Sequence, residues 1–306
     1  MFHLRLISAV VLISLLVAVV WLDYWYPLWG VAGLWMWPLG LYASVATASE
    51  LTKLAQSGGH ALVRTPILIA VGAAYLIASV PLFWGFSGEP YPSDCPVGIV
   101  GWPALAIPIL LFALSAHQMM HYNADGKALE RISLAGFVLL YVGGCSSFWI
   151  IMRTQSPSQW SLLTLVGIIA ATKLADIGAY ISGKMTGCNK LCPKISPGKT
   201  WEGLIGGFLF SALGSWIIFC QFIPWMLPTK PLTLGPFGPI LFALLLTCTG
   251  LVGDLTESLI KRDVGSKDSG RLLPGMGGVW DVTDSLLPAA VIGFLGVVAG
   301  LVPQPA

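Results

Sequence analysis

The run LFALLLTCTGLVG at residues 241–253 passes without a break into Asp254-Leu255-Thr256-Glu257-Ser258-Leu259-Ile260-Lys261-Arg262. Taken from about residue 237, this is the length of mainly apolar chain, roughly 20 residues, that crosses about 30 Å of hydrocarbon as a helix. Eight more stretches reach or approach that length, at about 6–22, 27–48, 66–86, 98–118, 132–152, 160–182, 204–226 and 286–302. Composition agrees, with 56% hydrophobic and only 10% charged residues in 306 and a mean hydropathy of +0.81. A soluble fold could not hide that much apolar surface, and disorder or a small disulfide-stapled fold is excluded as well. Backbone groups find no water in lipid, and ten-residue alternating strands are absent from the sequence. The fold class is therefore all-α, a polytopic membrane protein of about nine transmembrane helices.

The stretch 6–22 runs into Trp21-Leu22-Asp23-Tyr24-Trp25 without a small-residue cleavage motif, so it is expected to be an uncleaved span, not a signal peptide. Nine spans place Arg5, Lys53, Arg64, Lys127, Arg131, Lys184, Lys190, Lys194, Lys199, Lys261, Arg262, Lys267 and Arg271 on one side, 13 of the 16 basic residues. Arg153 and Lys230 fall on the other side, and Lys173 lies inside a span. That asymmetry predicts a cytoplasmic N-terminus and an external C-terminus. Residues 1–157 read as about five scaffold helices. Residues 158–306 read as about four helices with two long cytoplasmic loops, near 183–203 and 258–285. Eight of the 14 acids lie from Asp176 onward, in or beside those loops, so chemistry is expected there. There is no internal repeat or low-complexity tract.

After residue 253, Asp254, Glu257, Ser258, Lys261 and Arg262 occupy positions i, i+3, i+4, i+7 and i+8, one polar stripe on a helix leaving the membrane. Such a stripe can be a plain interfacial helix, with Asp254–Ser258 and Glu257–Lys261 as i,i+4 pairs. Depth argues otherwise, because an acid this close to hydrocarbon is a functional candidate by default. Lys267-Asp268-Ser269-Gly270 follows, then Pro274-Gly275-Met276-Gly277-Gly278 and Trp280-Asp281-Val282-Thr283-Asp284-Ser285. Asp284 can be the N-cap of the last span, which leaves Asp281 unexplained. Residues 254–284 hold six acids and four bases. Convergent carboxylates suit Mg²⁺, interleaved Lys and Arg suit phosphate oxygens, and Gly277 and Gly278 let backbone amides approach an anion. Metal-assisted phosphate chemistry is the reading that uses all of these.

The loop around Pro193-Lys194-Ile195-Ser196-Pro197-Gly198-Lys199-Thr200-Trp201-Glu202-Gly203 is polybasic, which by itself can be topology or lipid attraction. Gly198-Lys199-Thr200 is not a P-loop, lacking the earlier glycine and a preceding strand. Lys173 and Asp176, three residues apart in a span, can neutralise each other, yet both lie toward the same cytoplasmic end.

At these residues the sequence resembles the phosphatidate cytidylyltransferases, or CDP-diacylglycerol synthases. Their signature, S-x-x-K-R-x4-K-D-x-G-x2-L-P-x-H-G-G-x-x-D-R-x-D, is met by Ser258, Lys261, Arg262, Lys267, Asp268, Gly270, Leu273, Pro274, Gly277, Gly278, Asp281 and Asp284, over 27 residues. Asp176-x-Gly178-Ala179-Tyr180 with Gly183, and residues 195–203, are similar to the family too, so the likeness covers about 160–302. Met276 and Val282 stand where the family has His and Arg; neither a thioether nor an isopropyl group carries charge. The resemblance implies transfer of CMP from CTP to phosphatidate, with pyrophosphate as the second product and Mg²⁺ required; a second, monovalent cation is left open. It implies a site at the cytoplasmic face, in a bacterial inner membrane, and no nucleic-acid partner. In that reading Asp254, Asp281 and Asp284 hold Mg²⁺, supported by Glu257 and Asp176. Lys261, Arg262 and Lys267 hold triphosphate or pyrophosphate oxygens. Ser196, Lys199 and Lys194 form a second wall of the pocket, assisted by Ser258, with Asp268, Gly277 and Gly278 also on the substrate side. A CTP-dependent transferase or kinase for another lipid, an inactive relative, and a transporter using Lys173, Asp176 and Asp254 are the alternatives. Transport is disfavoured because the polar residues occupy one half of the chain.

Cys188 and Cys192 have no nearby His and are not expected to bind zinc, and the six cysteines imply no disulfide framework. His117 and His121 lack the Glu of a zinc helix. Gly203-x-x-x-Gly207 and Gly296-x-x-x-Gly300 allow close helix packing, within one chain or in a homodimer.

Overall fold

A computed structural model describes residues 2–228, 232–233, 235, 237–270 and 272–305, apart from the side chains at positions 2, 4 and 5. The basic residues expected at Lys230 and Arg271, and the Arg5 side chain, lie outside the described residues. Helices dominate, and the chain is an integral membrane protein. They are α1 (Phe2–Trp25), α2 (Trp37–Ser57), α3 (Arg64–Ala78), α4 (Gly98–Met120), α5 (Ala128–Arg153), α6 (Ser158–Thr186), α7 (Trp201–Met226), α8 (Gly238–Asp263), α9 (Trp280–Thr283) and α10 (Leu286–Val298). Seven candidate spans are long and apolar enough to cross a bilayer, one of them joining α9 to α10; a pair bent by 47°, Arg64–Ala78 with Val80–Ser87, makes up to eight. The expected span at 27–48 falls largely on α2. Among the described residues α2 does not pass as a span on hydropathy, and the reason is its buried polar set: Ser44, Thr47, Ser49, Glu50 and Thr52. Its polarity is turned inward, against protein.

Contacts divide the chain into two units. One is Met1–Thr154 with Asp263–Thr283; the other is Gln155–Arg262 with Asp284–Ala306. The first division lies within a few residues of the expected boundary at 157, but the glycine-rich segment after α8 joins the N-terminal helices.

Within the first unit, Asp23 at the end of α1 is buried against Arg153, whose Nε donates to Asp23 Oδ2 at 2.9 Å, while Gly33 N donates to Oδ1 at 2.7 Å. A buried guanidinium is tolerable only with such pairing. Arg153, expected in an external loop, is thus a structural ion-pair partner.

In the second unit α6 and α7 pack backbone against backbone. A Cβ on Gly203 would stand 2.9 Å from the Ala179 carbonyl oxygen, and one on Gly207 2.8 Å from that of Ala175. The Gly203-x-x-x-Gly207 pair is thus spent inside the chain. Thr200 caps α7, its Oγ1 accepting from Gly203 N at 3.1 Å. The polybasic loop is a hairpin: β1 (Lys190–Cys192) pairs antiparallel with β2 (Ser196–Thr200), Cys192 opposite Ser196. Two further short strands, β3 (Leu232–Thr233) and β4 (Gln304–Pro305), pair in the same unit.

Candidate active site

Helix α8 carries its polar residues at the end of the apolar run, as the spacing predicts, and its glycines decide what they meet. A Cβ on Gly250 would lie 3.6 Å from both Ser285 and Thr172. One on Gly253 would fall 2.8 Å from Pro288 Cγ and against the Asp284 carbonyl. These two hydrogens therefore let α6 and the start of α10 close on α8, and they bring Asp284 to Asp254 and Glu257. One oxygen from each of these three carboxylates lies within 4.8 Å of the others. Glu257 and Asp284 are buried and Asp254 is half-buried.

Lysines surround the acids. Lys199 Nζ on β2 reaches Asp254 Oδ2 at 2.7 Å, and Lys261 Nζ reaches Glu257 Oε1 at 3.1 Å. From α6, Lys173 Nζ donates to Asp176 Oδ2 at 3.1 Å and to Ser285 Oγ at 2.8 Å, and Ser285 Oγ lies 3.2 Å from Asp176 Oδ2. Ser258 Oγ is 3.5 Å from Asp254 Oδ1. Four carboxylates thus face three ammonium groups, a formal balance of −1. The i,i+4 pairs expected of a plain interfacial helix do form, but Lys199 and Asp284 arrive from other elements. Asp284 is not the helix cap: Ser285 occupies that position, and its N–H donates to Asp284 Oδ1 at 2.6 Å.

Beside Asp254 and Asp176 opens a cavity of about 390 Å³, lined also by Tyr180, Ser196, Gly198, Lys199 and Thr200 and by apolar Leu204 and Leu251. Its lining combines charged and hydroxyl side chains with apolar ones, a mixture suited to a charged headgroup on an apolar tail. Lys194 is exposed in the hairpin turn and does not line this cavity, and Arg262 is exposed near the end of α8.

The glycine-rich segment, in the other unit, has its own chemistry. Asp281 Oδ2 accepts from Ser269 N at 3.0 Å, Ser269 Oγ at 2.7 Å and Gly278 N at 2.7 Å. Gly277 has φ +99°, and a Cβ there would stand 2.5 Å from Asp281 Oδ2. The anion that these glycines admit is therefore the chain's own carboxylate. Glu50 on α2 is a second one: Oε1 accepts from Val279 N at 3.0 Å and Oε2 from Trp280 N at 2.9 Å, and Ser269 Oγ lies 3.0 Å from Oε2, its one hydrogen serving either Glu50 or Asp281 at a time. Lys267 and Asp268 are exposed in this segment. Sequence reasoning missed Glu50, Ser269 and Ser285. The available signal for Glu50 was an acid within an apolar stretch, the same signal that marked Asp254.

Nothing in the structure explains Met276 and Val282 at the family's His and Arg positions. Three carboxylates with oxygens within 4.8 Å of one another, and lysines close by, form the polar site of a membrane protein. Residues 3–298 match the Cytidylyltransferase family, and the chain belongs to that family. It is 38% identical over 192 residues to the uncharacterized protein YnbB of Escherichia coli, covering 62% of this chain and 61% of that one. It is 39% identical over 157 residues to a phosphatidate cytidylyltransferase of Brucella suis (51% and 54%), and 31% over 233 residues to one of Mycobacterium bovis (73% and 72%). The chain thus spans between about half and three quarters of these relatives.

Proposed function

We propose that the protein makes CDP-diacylglycerol and pyrophosphate from CTP and phosphatidate, in a bacterial inner membrane with the site at the cytoplasmic face. The observation that carries this reading is the carboxylate group of Asp254, Glu257 and Asp284 set against Lys173, Lys199 and Lys261, next to a cavity lined by both polar and apolar residues. The reaction joins a phosphatidate phosphate oxygen to the α-phosphorus of CTP while the bond to the bridging oxygen of the β-phosphate breaks. A phosphomonoester is already an anionic nucleophile, so no serine or cysteine intermediate is needed. Catalysis is positioning and charge neutralisation.

The all-oxygen donor set fits Mg²⁺, held by Asp254, Glu257 and Asp284 with Asp176 in support. When bound, that ion neutralises charge on phosphate oxygens. Lys199 and Ser196 hold phosphate at the mouth of the cavity, Leu204 and Leu251 take the start of the lipid tails, and Lys173 keeps Asp176 and Ser285 in place. Lys261 and Arg262 supply further cationic contacts at the end of α8. Asp281, expected from the sequence as a ligand, orders the glycine-rich segment through Ser269 and Gly278.

The test is pyrophosphate release by purified, detergent-solubilised protein given CTP, phosphatidate and Mg²⁺, with Asp254→Asn alongside. Release that needs all three components and is lost in the variant supports the reading. Release only with a different lipid phosphate redirects the substrate, and none with any of them overturns the proposal.

A further inference from the structure

Glu50 is a buried carboxylate of the first unit that no part of the proposed reaction uses. It sits 2% exposed in α2, more than two hundred residues from its partners. Its two oxygens take the N–H groups of Val279 and Trp280, with the Ser269 hydroxyl, shared with Asp281, 3.0 Å away. A Cβ on Gly270 would stand 2.5 Å from Glu50 Oε1, and one on Gly278 2.6 Å from its Cδ, so the segment is wrapped on this side chain with no room for a methyl group. Ser269 ties the arrangement together, because its hydroxyl lies 3.0 Å from Glu50 and 2.7 Å from Asp281. Asp281 in turn takes the Ser269 and Gly278 N–H groups.

Burying a carboxylate among an otherwise ordinary set of helices is costly unless donors compensate it. Here the donors are backbone amides whose positions define the path of the chain. We propose that Glu50 is a positioning residue: it sets the conformation of residues 269–281, and through them the placement of Lys267 and Asp268 at one end and Asp281 at the other. The inference that this conformation governs turnover rests on the cytidylyltransferase reading; the latch itself does not. Gln at this position keeps the size but offers one acceptor and an NH₂ group that faces an amide N–H, so at least one buried donor is left unpaired. Lys267 and Asp268, which the family resemblance puts on the phosphate and substrate side, are the groups so placed, and misplacing such a contact by about 1 Å costs on the order of 100-fold in rate.

The experiment compares the full-length protein with Glu50→Gln, Ser269→Ala and, as a purely structural control, Asp23→Asn. All are purified in detergent and compared per monodisperse molecule. Amide hydrogen exchange and steady-state pyrophosphate release are both read. Glu50→Gln is expected to speed exchange across 269–281 while the remaining helices keep their protection. It should lower kcat by about 10- to 100-fold with KM for CTP changed by less than about threefold. Ser269→Ala should move both readouts in the same direction by less, whereas Asp23→Asn should lower the melting temperature and leave kcat per folded molecule in place. Unchanged exchange in both Glu50→Gln and Ser269→Ala overturns the latch. Faster exchange with unchanged kcat overturns the positioning role. An inactive wild type counts against the cytidylyltransferase reading instead, and exchange alone then judges the latch; should Glu50→Gln fail to fold, Ser269→Ala decides.

Discussion

Two sets of acids in this protein are satisfied in opposite ways. In the second unit, Asp254 and Glu257 are met by the ammonium groups of Lys199 and Lys261, and Asp284 completes their cluster. In the first, Glu50 and Asp281 are met by backbone N–H groups and one hydroxyl. Long lysine side chains on two elements can give up a carboxylate to a metal ion or turn to a phosphate oxygen. Backbone amides cannot do so without unmaking the local fold. The first arrangement suits exchange of partners and the second suits fixed geometry. Acids of the same type, in one chain, thus serve chemistry or architecture according to what donates to them.

That contrast is sharpened most by removing a carboxylate from the cluster. Asp284→Asn and Glu257→Gln are each expected to lower kcat/KM by about 100-fold or more, since such groups carry the charge stabilisation of phosphoryl transfer. A steady-state assay against Mg²⁺ concentration checks this. Lys199→Ala should lose roughly 10- to 100-fold, with Lys199→Arg recovering part, because one positioned cation is replaced by another of different shape. Gly278→Ala tests the other region. Its Cβ would meet Glu50 Cδ at 2.6 Å, so a drop in thermal stability of about 1–3 kcal/mol and faster exchange of the segment are expected in detergent. Asp23→Asn breaks the pairing around Arg153 and should destabilise the fold by about 3–5 kcal/mol, with the smallest effect of the series on turnover per folded molecule. A melting curve paired with an active-fraction assay separates the two quantities.

The two regions were unequally legible in the sequence. The stripe Asp254, Glu257, Ser258, Lys261 followed from helical spacing, because a helix with an apolar run on one side of it has a defined face. Asp284 reads locally as a helix cap and enters the site only through the cluster of acids at 254–284 and the family resemblance. Lys199 and Ser196 were reached only through resemblance, since their segment is rich in Pro, Gly and Lys and hides a hairpin too short to show alternation. Glu50 carried its signal weakly, because it falls just past the expected span at 27–48 and beside Lys53, and hydropathy cannot tell a face turned to protein from one turned to water. The ligand role of Asp281 comes from the family resemblance, and the donors from Ser269 and Gly278 that meet its Oδ2 leave no local pattern in the sequence. A long-range partner such as Ser269 to Glu50 leaves no local pattern at all.

The most direct test is binding of Mn²⁺, as a spectroscopic stand-in for Mg²⁺, to the detergent-solubilised full-length protein by electron paramagnetic resonance. Wild type, Asp284→Asn and Glu50→Gln are compared. The account predicts saturable binding in wild type, its loss in Asp284→Asn, and its retention in Glu50→Gln even where turnover has fallen. Normal binding in Asp284→Asn, or loss confined to Glu50→Gln, would contradict the division between the acids that do chemistry and those that hold shape.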